Sequence, residues 1–209
     1  MSKIDYKKDY KDLYLPKTIP AIIDVPSMGF IMVDGKGDPQ DKEYQEAVSI
    51  LYALSYTIKM KGKELSGYFD YTVFPLGGLW WCENGDFDFS KRDNWRWISM
   101  IRQPDFVTPD IFEWAAELTQ KKKPEYDFSK ARLETFSEGL CVQVMHVGSY
   151  ADEPVTIAKI KEFINQNGFA DMTGTDRKHH EIYLSDPNKT TPDKMNTVIR
   201  LPVIKKSGS

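Results

Sequence analysis

Gly29-Phe-Ile-Met-Val-Asp-Gly-Lys-Gly37 reads as a short apolar strand running into a glycine turn, and the segment after the turn sets the architecture. Asp38 is the expected N-cap of a helix, Pro39 suits its first turn, and Asp41 favours the positive end of its dipole. Tyr44, Ala47, Val48, Leu51, Leu54 and Ile58 recur at three- and four-residue steps, which makes one stripe for packing on a sheet. Gly62 and Gly67 end that helix. Tyr68-Phe-Asp-Tyr-Thr-Val-Phe74 is then an expected strand, bounded by Pro75 and Gly77-Gly78, and Leu79-Trp-Trp-Cys82 pairs back on it. The order is strand, helix, strand, strand.

The second half repeats that order. Leu140-Cys-Val-Gln-Val-Met-His-Val147 is the strand, Gly148-Ser-Tyr150 the turn, and Asp152-Glu153-Pro154 the helix start. Val155, Ile157, Ile160 and Ile164 form the stripe and Gly168 the stop, followed by strands at His180-Glu-Ile-Tyr-Leu184 and Thr197-Val-Ile-Arg-Leu-Pro-Val203. Between the copies, Trp95-Arg-Trp-Ile-Ser-Met-Ile101 reads as an extra strand. A helix opens at Thr108-Pro109, runs through Ile111, Ala115 and Leu118, and stops by Pro124, either as a lid or as a brace. Ala131 to Phe136 is a further strand entering the second copy. The expected class is α+β, a duplicated strand-helix-strand-strand module forming an antiparallel sheet with helices on one face and a ligand pocket on the other.

A charge of −3 argues against a nucleic-acid partner, which needs a basic stripe. No apolar run approaches the length of a membrane span and the first residues are polar and tyrosine-rich, so a cytoplasmic protein with no membrane partner is expected. Cys82 and Cys141 are too few for a disulfide framework or a zinc site. His146, His179 and His180 lack metal-ligand spacing, so no metal is expected. Gly35-Lys-Gly37 falls short of a phosphate loop, and Asp34 and Asp38 would repel an anion, so no cofactor is expected either. Nothing in the sequence specifies an oligomeric state.

The aromatic share, 13 %, exceeds what packing requires and suggests a binding surface for a hydrophobic, aromatic or cationic small molecule. Strand alternation sends Ile182 and Leu184 toward the helices and Glu181 and Tyr183 to the open face. Superposing Phe74 on Leu184 sets Tyr71 opposite Glu181 near the pseudo-axis. Trp80 and Trp81 must point to opposite faces, while Trp95 and Trp97 share one. Phe69 and Tyr150 complete the expected lining. A buried glutamate either carries a raised pKa or waits for a cationic ligand.

The duplicated plan, Gly148-Ser-Tyr150 before the second helix, and His180-Glu-Ile-Tyr-Leu-Ser-Asp-Pro187 followed by Val198-Ile-Arg-Leu-Pro-Val203 resemble the GyrI-like small-molecule-binding domains, which also serve as effector modules of multidrug-responsive regulators. The resemblance covers residues 22–203, divided into a first module at 22–82, an insertion at 83–128 and a second module at 129–203, with an extension at 1–21 and a tail at 204–209. It implies an aromatic-lined pocket between the halves with Glu181 at its floor. About twenty residues precede the first module, so no helix-turn-helix DNA-binding module is expected.

Some members it resembles are cyclopropanoid cyclopropyl hydrolases, which open the strained ring of DNA-alkylating natural products and so confer toxin resistance. The resemblance then implies that Tyr71 engages a ligand carbonyl while Glu181 activates water. Non-catalytic sequestration of drugs and a gyrase-inhibitor-like interaction protein stand as alternatives.

Overall fold

The computed structural model describes residues 3–82, 91–174 and 177–206. Part of the expected aromatic insertion, 83–90, and the extreme ends of the expected extension and tail lie outside the described residues. The chain runs through α1 (Tyr6–Asp9), α2 (Lys11–Tyr14), β1 (Ala21–Lys36), α3 (Lys42–Lys61), β2 (Leu76–Cys82), β3 (Trp95–Arg102) and α4 (Pro109–Gln120). It continues through β4 (Ala131–Val147), α5 (Glu153–Gln166), β5 (Phe169–Asp171), β6 (His179–Tyr183) and β7 (Asn196–Lys205). No described helix is long and apolar enough to cross a membrane.

The strand order β4-β1-β3-β2-β6-β7-β5, with β4 also paired to β7, closes six strands into a circuit. The pairings of these strands are antiparallel. The duplication is visible in that circuit, because β1, β3 and β2 follow one another as β4, β7 and β6 do. The α+β class, the antiparallel sheet and the repeated module therefore hold, and the sheet curls into a barrel-like form.

Five local expectations change. Residues 68–75 form no strand, only a single bridge between Tyr71 and Ile4. The aromatic alternation there serves a buried loop whose rings pack on Phe106, and Pro75, lacking an N–H, ends any ladder that could begin there. Gly77 and Gly78, expected as a turn, lie inside β2. The Trp95 strand, expected in the insertion, is β3 and supplies the third strand of the first module. Asp38 shapes a turn, its side chain accepting from Gln40 N at 2.9 Å, and Asp41 is the N-cap residue of α3. The strands expected at Ala131–Phe136 and Leu140–Val147 are one long β4.

Both long helices cover the same sheet face. Tyr44 of α3 lies against Trp80 of β2 and Trp97 of β3, and Ile160 and Ile164 of α5 pack with Val142, Val144, Ile199 and Leu201. Glu181 is the register partner of Ile199 on one side and Gly78 on the other. Glu181 and Tyr183 therefore face the helices, opposite to the expected direction. Ile182 is nevertheless buried, because the other face is covered too, by Leu13, Tyr14 and Phe74 among others. When both faces are dry, apolar alternation does not say which side carries the helices. Helix α4 braces α3, the Thr119 hydroxyl donating to that of Thr57 at 2.9 Å.

The N-terminal helices are held on that second face by a buried polar network. Arg200 donates to Glu138 at 3.0 Å, to Gln143 at 3.1 Å and to the Leu13 carbonyl. His180 Nδ1 meets Glu138 at 2.9 Å, and Gln143 donates to the Asp12 carbonyl at 2.6 Å. Arg102 lies between the rings of Tyr10 and Phe74, at 4.3 and 4.6 Å. Cys82 and Cys141 are free thiols, as expected.

Burial by itself would raise the Glu138 pKa, but the charges and hydrogen bonds of His180 and Arg200 outweigh it and hold the group down at about 2. A carboxyl depressed in the fold contributes stability that is present above its unfolded pKa and lost as pH falls through the folded value. Acid unfolding should therefore show a loss of about 3 kcal/mol between about pH 4.5 and 2 from this group. In Glu138→Gln that slope should disappear from denaturant titrations at stepped pH, with neutral-pH stability lower because Arg200 loses its counter-charge.

Candidate functional site

Strand β6 places His179, Glu181 and Tyr183 on one face at successive alternate positions. The Tyr183 hydroxyl donates to Glu181 Oε2 at 2.8 Å and accepts from Trp80 Nε1 at 2.9 Å. His179 Nε2 stands 3.2 Å from Glu181 Oε1. Trp80 can reach across because Gly78 sits opposite Glu181. A Cβ on Gly78 would come within 2.7 Å of Trp80 Nε1 and 3.4 Å of the Tyr183 hydroxyl.

A second carboxyl meets the first. Glu153 is the opening residue of α5, is 3 % exposed, and shares a side-chain hydrogen bond with Glu181. Two buried carboxylates in contact cannot both ionise, and their surroundings decide which one does. For Glu153, burial and then the charge of Glu181 push the pKa far above the carboxylate range. For Glu181, burial acts upward, but hydrogen bonding and charge from His179, with the Tyr183 and Glu153 hydrogen bonds, bring it below the ordinary value. The two shifts run in opposite directions, favouring the proton on Glu153 and the negative charge on Glu181. Glu153 Oε1 is buried with no hydrogen-bond partner among the described residues.

Aromatic rings wall this pair. Tyr44 stacks on Trp80 with centroids 5.6 Å apart, Trp95 meets Trp80 edge-on at 5.8 Å, and Tyr150 meets Tyr183 edge-on at 5.8 Å. Tyr150 is 40 % exposed and marks the solvent side. Burial raises the pKa of Tyr44, and that of Tyr183 well above the phenolic value, so both hydroxyls stay neutral donors.

Glu181, Tyr183, Trp80 and Tyr150, four of the residues named as candidates, lie beside one another, with Trp95 behind them. Trp97 is completely buried beneath Tyr44, its ring over Gly35, where a Cβ would collide at 2.1 Å. Trp81 points to the other side of β2, under the Lys178 ammonium at 4.7 Å. Tyr71 and Phe69 are not at this site. They pack with Tyr68 and Phe106, and the Tyr71 carbonyl accepts from Lys59. Lys59 stands at the opposite end of α3 from Tyr44, about 22 Å along a helix rising about 1.5 Å per residue. The expected pairing of Tyr71 with Glu181 fails because it assumed a strand that is a loop.

Glu153, Tyr44 and His179 are the members that sequence reasoning missed. An acidic residue before proline in a first helical turn is ordinary capping chemistry, and Tyr44 belongs to a regular apolar stripe. His179 alternates with Glu181, which was the one usable signal.

Comparison with known proteins gives a match to the GyrI-like small molecule binding domain model over residues 19–204. A crystal structure of a conserved protein from Listeria innocua is 54% identical, with 97% of this chain and 100% of that chain covered and a TM-score of 0.93. A hydrolase from Listeria innocua is 51% identical over the same shares, with a TM-score of 0.89. The EcmrR C-terminal domain, 13% identical over 89% of this chain and 97% of that one at a TM-score of 0.56, shares the fold. No curated protein matches significantly.

Gly78→Ala should leave the fold intact and break the Trp80–Tyr183 hydrogen bond. The Trp80 indole N–H resonance should shift upfield by NMR, and should do the same in Tyr183→Phe; an unshifted resonance in both variants would remove that bond from the site.

Proposed function

The chain belongs to the GyrI-like small molecule binding domain family, and we propose that it is a hydrolase of flat, apolar electrophiles, acting at the Glu153–Glu181 pair. The substrate class is an aromatic compound whose cyclopropane is fused to a conjugated dienone, as in cyclopropane-bearing alkylating toxins. One observation carries the proposal: two buried carboxyls lie in contact beside aromatic rings, with burial favouring the protonated form of Glu153 and hydrogen bonds the ionised form of Glu181, so that an acid and a base stand side by side. The 51% identical protein from Listeria innocua, described as a hydrolase, lends it support.

Glu181 takes a proton from water as the water oxygen bonds to the cyclopropane methylene carbon. The strained carbon–carbon bond breaks, and its electron pair passes through the dienone to the carbonyl oxygen, which becomes a phenolate. Glu153 gives its proton to that oxygen. Water has been added across the opened ring, and the two carboxyls have exchanged protonation states. The hydrogen bond between them returns the proton from Glu181 to Glu153 and resets the pair. Tyr183, held by Trp80, fixes Glu181 in place, and the rings of Trp80, Tyr44 and Tyr150 offer faces for the planar substrate. In this scheme Glu153 takes the acid's part that the resemblance implied for Tyr71.

Incubating the protein with a cyclopropane-bearing alkylator in oxygen-18 water should give multiple turnovers of a labelled, ring-opened alcohol. Glu181→Gln and Glu153→Gln should each lower turnover by about 10²–10⁴-fold. Stoichiometric binding without product would replace the hydrolase with a sequestering protein, and full activity in Glu181→Gln would sink the assigned base.

A further inference from the structure

We infer that the Glu153–Glu181 pair adapts its charge to its ligand, keeping its shared proton around a neutral molecule and releasing it to solvent when a permanent aromatic cation binds. The inference rests on the same carboxyl pair and rings being the ligand site, but not on hydrolysis taking place there.

The geometry that points to it is two carboxyls from different elements, one on the first turn of α5 and one on β6, both buried and joined by a side-chain hydrogen bond. With a neutral ligand, losing the proton would leave two negative charges in contact away from water, which is strongly unfavourable. A cation stacked on the wall changes that balance, since an opposite charge at close range favours the ionised carboxyl. Glu153 Oε1, buried and without a hydrogen-bond partner among the described residues, is an acceptor that such a cation could satisfy. One site can then accept neutral electrophiles and organic cations with the same rings.

Other titratable groups face the pair from each element packed around it. Tyr44 comes from α3, Tyr150 from the turn before α5, and Tyr183 and His179 from β6. Tyr44, Tyr150 and Tyr183 have pKa values raised by burial, so they carry no exchangeable charge near neutrality. His179, at 3.2 Å from Glu181, is the rival source of a released proton. The α5 N-terminus adds a fixed positive end that favours ionised Glu153 once a cation has arrived.

Calorimetric titration with N-methylacridinium in two buffers of different ionisation enthalpy counts the protons released. Wild type should release close to one proton per cation, and its affinity should strengthen by up to about tenfold per pH unit between about pH 6 and 8, the sign required when the bound state holds fewer protons. The neutral analogue N-methylacridone should release none and bind independently of pH. In Glu153→Gln the cation should still bind through Glu181, with the proton count near zero and a flat pH profile. Cation binding by wild type without proton release overturns the inference. So does an unchanged proton count in Glu153→Gln, which would assign the proton to His179, and so does failure of the cation to bind where the neutral analogue does. Ring opening of an alkylator is scored separately: its absence alongside proton-linked cation binding would reject the hydrolase and leave this inference standing.

Discussion

Strand β4 pairs with β1 along one edge and β7 along the other, and this double pairing leaves the six-stranded circuit without a free edge. Closure is available because each module supplies three strands in the same spatial order and the modules meet twice, at β1–β4 and at β2–β6. An antiparallel circuit satisfies its backbone groups internally, so both faces are free to be dry. The helices take one face. The N-terminal helices take the other, anchored through backbone carbonyls to Arg200 and Gln143.

The β2–β6 seam inherits a consequence of that closure. It brings the first module's Trp80 and the second module's Glu181 and Tyr183 onto one face, at neighbouring register positions, beneath the N-terminal ends of α3 and α5. Gly78 leaves the space in which the indole, the phenol and the carboxylate connect. The site is therefore a product of duplication, and neither module could assemble it alone. Its electrostatics follow from burial: one carboxyl finds enough donors to stay ionised, and the other keeps its proton.

A carboxyl pair poised in this way suits chemistry in which a proton is removed at one end of a substrate and delivered at the other. It also makes ligand charge a variable that the site can answer. The second buried polar cluster, Glu138 with His180 and Arg200, has the opposite character. There the carboxylate meets positive partners directly and fixes the N-terminal segment. Adjacent residues of β6, His180 and Glu181, thus serve the two faces in different ways.

Much of this was legible in the chain. The repeated order of elements, the stripe of α3, Ile160 and Ile164 of α5, and the Gly168 stop follow from periodicity and turn chemistry, which are local properties, whereas Val155, expected in the α5 stripe, is exposed. The direction in which β6 faces was not legible, because Ile182 and Glu181 are both buried and only packing on two sides explains how. Nor was the fate of Tyr71, since an alternating aromatic run fits a strand and a packed loop equally well. Glu153 became visible as a partner of Glu181 only in three dimensions: one opens a helix and the other sits mid-strand, and their contact is made by a sheet that closes across the two halves of the molecule. Most of the elements could be read from the chain, because helix stripes, strand alternation and turns are set by neighbours along it. Which carboxyls share a proton is settled only in the folded molecule, because that depends on burial and on charges brought together from distant positions.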